Sequence, residues 1–229
     1  MGLNHYVCAV SLGLSAVCLA DMPWEVTPTS HTRIVDGLEL PLSMDVSRVA
    51  CFQDGVVAPA TAARALTSYG LNPDTLVPSG SNGWMYAEFL ASQTVESVSE
   101  TVNRMTRSGD VDFASPVFLA GTQSLPWIVT RDIIVSLDPL LTVQARADLM
   151  ASIPGGIVEE SLGGVDGVVL IETDLKNAFE VLDLVEALEA RPGVRFAQTD
   201  AIWWALPQGG VPNDPQWSQL WALEQSNDQ

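Results

Sequence analysis

The chain contains an internal repeat with a spacing of 83 residues, and this repeat restricts the possible folds more than any single motif. The segments SGDVDFASPVF and RPGVRFAQTDA share a Val-x-Phe-Ala core in which Val111 corresponds to Val194. Apolar positions with helical spacing recur at the same distance: Val98, Val102 and Met105 correspond to Val181, Val185 and Leu188, and Ala62 and Leu66 to Ala145 and Leu149. Two tandem copies of one unit are predicted, over about residues 46–120 and 128–205.

The order of elements within a copy is clearest in the second one. RDIIVSL predicts a buried strand, and LTVQARADLMASI predicts a helix with Thr142 as its N-cap. GIVEESL and GVVLIET predict a hairpin that turns at the glycines between them. LKNAFEVLDLVEALEA predicts a second helix capped by Asp174, and VRFAQTD the last strand. The order βαββαβ predicts an α+β protein of two tandem ferredoxin-like units, each an antiparallel sheet with helices on one face.

The N-terminal segment is predicted to be a secretory signal peptide. An uncharged run over residues 6–20 is shorter than a membrane-spanning helix and has the length of a signal-peptide h-region, although only His5 stands for the basic n-region. Cleavage is predicted between Ala20 and Asp21, with residues 21–45 forming an extension or hairpin and residues 121–127 a linker. A buried N-terminal helix is the alternative. Cleavage would leave Cys51 as the sole cysteine, so neither a disulfide nor a zinc site is expected.

Charge and composition exclude several classes of function. The net charge of −18, from 28 acidic and 10 basic residues, predicts repulsion of nucleic acids and of anionic membranes. The only histidines are His5 and His31, so no Ser-His-Asp triad and no metal cluster is expected in the mature domains. LGGVDGVV lies between strands and is interpreted as a hairpin, not a nucleotide loop. Glu159 and Glu160 are adjacent on a strand and point to opposite faces. No cofactor and no catalytic residue is predicted.

A resemblance to a known family emerges from the C-terminal third. The βαββαβ unit, its ending ARPGVRFAQTD, a proline-containing spacer and PNDPQWSQLWAL together resemble the prodomain of secreted bacterial subtilisin-like serine proteases, running into the catalytic domain. In that family an Asn-Asp-Pro turn and a Leu-Trp-x-Leu segment commonly open the catalytic domain. Those motifs match Asn213, Asp214, Pro215, Leu220, Trp221 and Leu223, with Ala222 where glycine is usual. RIVDGLELPLSMDVSRVACF, FASPVF and PWIVTRDIIV resemble extended pro-regions, so the likeness covers about residues 33–223.

The resemblance implies a regulatory role without catalysis. The catalytic Asp, His and Ser of the family lie downstream of Leu223, so residues 206–229 are expected to be a linker and the start of a truncated catalytic domain. The open face of the sheet is implied to pack on two surface helices of the protease. The C-terminal tail is implied to lie in the substrate cleft as a product-like strand. That tail comprises Asp200, Ala201, Ile202, Trp203 and Trp204, with processing expected between Asp200 and Val211. Binding only the folded enzyme would make the unit a chaperone as well as an inhibitor.

Two other functions and one other structure stay open at this point. A stand-alone secreted inhibitor of subtilisin-like proteases would use the same sheet face. A regulatory pair of units would bind a small molecule at the interface between the repeats. Trp217 and Trp221 could also fold back on the open face of the second unit instead of opening a catalytic domain.

Overall fold

A computed structural model describes residues 26–35, 38–54, 59–78, 83–120 and 126–203. In these ranges the chain forms one antiparallel sheet and four α-helices, which confirms the predicted α+β class. The strands are β1 (Val26–Val35), β2 (Leu38–Phe52), β3 (Val77–Pro78), β4 (Trp84–Glu88), β5 (Phe113–Ala120), β6 (Pro126–Leu137), β7 (Gly156–Glu159), β8 (Val168–Glu172) and β9 (Val194–Trp203). The helices are α1 (Pro59–Ser68), α2 (Val95–Ser108), α3 (Val143–Ala151) and α4 (Ala178–Glu189), with 3₁₀ turns at Pro73–Thr75 and Leu162–Gly164.

The same strand order occurs twice in the sheet. Around β2 the order is β3-β4-β2-β5, and around β6 it is β7-β8-β6-β9, with all neighbouring strands antiparallel. We call the elements from β2 to β5 the first unit and those from β6 to β9 the second unit. The register recurs as well, because Arg48 lies opposite Glu88 and Asp132 lies opposite Glu172, each pair separated by 84 residues from the other. The predicted hairpin between β7 and β8 is present.

Each unit buries one face of its strands against its helices. In the second unit the buried positions alternate along the strands, as expected when helices cover one face. On β6 they include Ile133 and Val135, and on β8 Val169 and Ile171. The helices contribute the buried residues Leu149, Ala178, Val181, Leu182 and Leu188. Most of the helical apolar positions that the repeat predicted are therefore in the core. Val98, Val102 and Met105 of α2 are fully buried as well.

The helix starts follow side-chain capping, with one departure from prediction. Thr142 caps α3 as predicted, its hydroxyl accepting a hydrogen bond from the Ala145 amide at 3.1 Å. The prediction that Asp174 caps α4 is wrong, because the cap is Asn177, which accepts from the Glu180 amide at 3.1 Å. The reason is tertiary: the carbonyl of Lys176 accepts a hydrogen bond from the Ala114 amide of β5 at 3.1 Å, which places this backbone beside the sheet before the helix begins.

The two units share a packed junction. Strand β5 pairs with the first residues of β6, so the sheet is continuous between the units. The Phe118 ring lies 5.9 Å from the Trp127 ring and 6.3 Å from the Phe179 ring of α4. The Arg131 guanidinium of the second unit lies 5.1 Å from the centre of the Phe52 ring of the first. Strand β6 starts at Pro126, inside the predicted linker 121–127, and β2 runs without a break through the predicted boundary at residue 46.

Cys51 lies in the core of the first unit, 2% exposed, and burial raises the pKa of its thiol to about 12. At pH 8 the thiolate fraction is then on the order of 1 in 10⁴, and the thiolate is the reactive form. We expect iodoacetamide at pH 8 to leave Cys51 unmodified in the folded chain and to alkylate it in concentrated urea, as read by mass spectrometry of the peptide that contains it. Rapid alkylation without urea would show that this part of the core opens.

Candidate functional site

The strongest candidate site is the face of the second unit that the helices do not cover. Four apolar side chains lie on this face and are half-buried or exposed, and we call them the second-unit face: Ile134, Val168, Leu170 and Phe196. They lie on three neighbouring strands: Ile134 is opposite Leu170 of β8 and Gln198 of β9, and Ser136 lies between Val168 and Phe196 and is opposite both. Phe196 is 39% exposed. Cross-strand neighbours on one face are close enough to form one apolar surface.

The surroundings of the second-unit face are polar and mainly acidic. Glu159 lies opposite Leu170 and is exposed. Glu172 lies opposite Asp132 on the same face, and the Arg131 guanidinium forms an ion pair with Glu172. An apolar centre with a polar rim is the usual composition of a surface that binds another protein.

The equivalent face of the first unit is buried. Two of its positions carry larger aromatic side chains, with Trp84 in place of Val168 and Tyr86 in place of Leu170, and Phe113 corresponds to Phe196. Trp84 contacts both Phe52 and Phe113, with ring centroids 5.7 and 5.8 Å apart. Phe113 is fully buried, and burial raises the pKa of the Tyr86 phenol. The two units therefore present different surfaces at equivalent positions.

A cluster of charged side chains lies beside the buried aromatic face of the first unit. Arg48 is 4% exposed and its guanidinium lies 3.2 Å from the Glu88 carboxylate and 3.7 Å from that of Asp45, which is fully buried. Asp45 also accepts hydrogen bonds from the amide and hydroxyl of Ser47 at 2.9 and 2.6 Å. The cluster sits at an irregularity of β2, where the pairing with β5 shifts between Asp45 and Val49. Asp45 and Arg48 are buried and ion-paired with each other, so they offer no accessible charge to a binding partner.

The predicted tail residues continue β9 in this structure. Ala201, Ile202 and Trp203 lie opposite Val129, Ile128 and Trp127 of β6. The carbonyl of Asp200 accepts a hydrogen bond from the Thr130 hydroxyl at 3.1 Å. Residues 201–203 of the predicted tail are therefore part of the sheet in this structure. Trp204 lies outside the described residues, as do Ala20 and Asp21 and the matched motif residues Asn213, Asp214, Pro215, Leu220, Trp221 and Leu223.

A polar cleft of about 340 Å³ lies at one end of β7 and β8. Its charged lining includes Arg131, Glu172, Asp174 and Lys176. The first two pair with each other, and the Lys176 amide donates to the Glu180 carboxylate at 3.0 Å. All the residues that line the cleft belong to the second unit, so it is not the predicted small-molecule site between the repeats.

The sequence predicted a sheet face without helices on both units. It did not predict that this face is buried in the first unit and exposed only in the second. A signal was present in the aligned repeats, where Trp84 and Tyr86 stand opposite smaller aliphatic residues of the second copy. The role of Arg131 had no such signal, because its contact with Phe52 joins residues distant in the sequence.

Comparison with known proteins identifies no relative: no family model matches the chain, and no curated protein or solved structure is significantly similar to it. Within the described part of the chain, every helix is too short or too polar to cross a membrane.

Proposed function

We propose that this chain is the pro-region of a secreted subtilisin-like serine protease. The second unit acts as an intramolecular chaperone and as a product-like inhibitor of the catalytic domain. A stand-alone inhibitor of such proteases would act through the same surface. No catalytic role and no cofactor is proposed for the chain itself. The observation that carries the proposal is the exposed apolar face of the second unit, which lies on the sheet face that the resemblance assigns to the protease.

The strand order supports a tandem ferredoxin-like arrangement. In each unit the first strand lies between the third and the fourth: β2 between β4 and β5, and β6 between β8 and β9. This order, with antiparallel neighbours and two helices that connect the strands, is the one expected for a βαββαβ unit with one covered face. Proteins with this fold have many different functions, so the function must be argued from the surface of the second unit.

The second-unit face has the features of a protein-binding centre. Aromatic anchors surrounded by smaller apolar side chains contribute most of the affinity in protein interfaces. We assign this role to Phe196, which lies on the same face as Val168, with Ser136 of β6 between them. Burial of an aromatic side chain removes roughly 150–250 Å² from water. Because Phe196 is 39% exposed, docking would bury about two fifths of such an area, which at about 25 cal/mol per Å² amounts to roughly 1.5–2.5 kcal/mol.

The position of β9 supports a coupling between the sheet face and the protease cleft. Phe196 lies near the start of β9, and the strand leads to Trp203 at its far end. Phe196 of the docking face and Trp203, the last described residue, therefore lie on the same strand. A segment that follows Trp203 would be delivered to a cleft beside the docked surface, where main-chain hydrogen bonds of an added strand supply affinity.

The proposal is tested by inhibition in trans. Full-length chain is titrated into a panel of secreted bacterial subtilisin-like proteases, and the inhibition constant is measured with a peptide substrate. For an inhibited protease we expect Phe196→Arg to weaken inhibition by about 30-fold or more, because a charge replaces a central anchor.

The matched control is Val143→Arg, which introduces the same charge at an exposed apolar residue of α3, 88% accessible and in the helix layer. This variant should inhibit like the parent chain. Circular dichroism and urea unfolding establish that both variants fold. Failure to inhibit any protease of the panel would refute the proposal, as would equal inhibition by Phe196→Arg and the parent.

A further inference from the structure

The difference between the two units bears on how many partners the chain binds. Large apolar side chains that remain exposed in the described residues lie almost entirely in the second unit. Six of the seven are there: Leu140, Val143, Ile157, Val158, Val165 and Phe196, with only Leu90 in the first unit. Single exposed apolar side chains are common on protein surfaces, and it is a contiguous patch that marks an interface. Of these residues only Phe196 lies on the second-unit face, so the difference between the units rests on that face and on the buried aromatic face of the first unit.

The first unit uses its aromatic residues internally. Trp84 is 8% exposed and Phe113 is fully buried, and their rings contact each other. Phe52 extends this aromatic group and lies under the Arg131 guanidinium of the second unit. A protein that docked on this face would first have to expose these rings and separate Arg131 from Phe52. The second-unit face requires no such rearrangement.

We infer that the chain binds a single catalytic domain, through the second unit alone, and that the first unit is a closed support. This inference rests on the proposed function, since it specifies the stoichiometry and the location of that binding. The support is physical: β5 pairs with β6, and the Asn177 side chain of the second unit donates to Asn103 of α2 at 3.4 Å. Asn177 also caps α4, so the first unit contacts the residue that starts a helix of the docking unit.

The experiment measures stoichiometry with the full chain. The probe is a subtilisin-like catalytic domain that the chain inhibits, with its nucleophilic serine replaced by alanine so that the complex is not degraded. Isothermal titration calorimetry and sedimentation velocity are expected to give one catalytic domain per chain. Leu90→Arg, at the exposed apolar residue of the first unit, should leave the affinity unchanged, whereas Phe196→Arg should lower it by about 30-fold or more.

The outcomes separate this inference from the proposed function. Two catalytic domains per chain would overturn the inference while leaving the proposed function intact. A complex of one to one that is weakened by Leu90→Arg and unaffected by Phe196→Arg would also overturn it, since the first unit would then be the docking unit. Absence of any complex would refute the proposed function itself. Unfolding curves of both variants check that each one folds.

Discussion

Replacement of Phe118 by alanine is expected to lower the free energy of unfolding by about 3–5 kcal/mol, the usual cost of truncating a fully buried phenylalanine. Phe118 is fully buried and packs on Trp127 and on Phe179, at the junction of the two units. Truncation removes the ring that contacts Trp127 of β6 and Phe179 of α4, and it leaves a cavity beside α4. Urea unfolding of the parent chain and the variant measures the difference.

The position of Phe118 adds a second expectation. Because it links β5 to both β6 and α4, amide protection should fall in both units when hydrogen exchange is compared between the variant and the parent. The matched control is Phe196→Ala, the same substitution at a residue that is 39% exposed, with an expected cost of about 1 kcal/mol or less. A cost of Phe118→Ala no larger than that of Phe196→Ala would contradict the packed junction.

Replacement of Arg48 by methionine is expected to lower the free energy of unfolding by about 3–5 kcal/mol, because it leaves the buried Asp45 carboxylate without its guanidinium partner. Methionine keeps most of the apolar stem of the side chain, so the loss reports mainly on the charge. Asp45 is fully buried, which makes an uncompensated carboxylate there expensive. Equilibrium unfolding in urea at pH 7 measures the change.

The second unit provides a control for this prediction. Arg131→Met removes an ion pair with Glu172 whose partners are 31% and 45% exposed, together with the contact on Phe52. Exposed pairs contribute about 0–1 kcal/mol, so a loss of about 1 kcal/mol is expected. The double variant Asp45→Asn with Arg48→Met should recover part of the stability lost by Arg48→Met alone. If Arg48→Met lowers the free energy of unfolding no more than Arg131→Met does, the Asp45 carboxylate is not held as a buried ion.

The predicted elements of the repeat agree well with the structure because their signals are local. The stripe of Val98, Val102 and Met105 is buried, and Thr142 caps its helix, since both depend on spacing along a few turns. Asp174 failed as a cap for a tertiary reason. Either Asp174 or Asn177 could accept the amide hydrogen bonds of a helix start, and the hydrogen bond between Ala114 and Lys176 selects Asn177.

The second-unit face was predicted only as part of the fold. The βαββαβ order implies a sheet face without helices in both copies, so it did not separate them. Exposure depends on what packs across the face, and Phe52 meets Trp84 and Arg131 only in the folded chain. The lengths of β6 and β9 were underestimated, because β6 continues back to Pro126 where it pairs with β5, and β9 continues to Trp203 along the same part of β6.

The sequence by itself determined the repeat, the order of strands and helices and the sides of the elements that are buried. Hydrophobic periodicity and capping residues act over a few neighbouring positions, so they can be interpreted without knowledge of the fold. Only the tertiary structure decided that β5 joins the two units into one sheet, that Arg48 and Asp45 are buried together, and that the second unit alone keeps its apolar face exposed. These features depend on contacts between residues that are far apart in the sequence and that meet only in the folded chain.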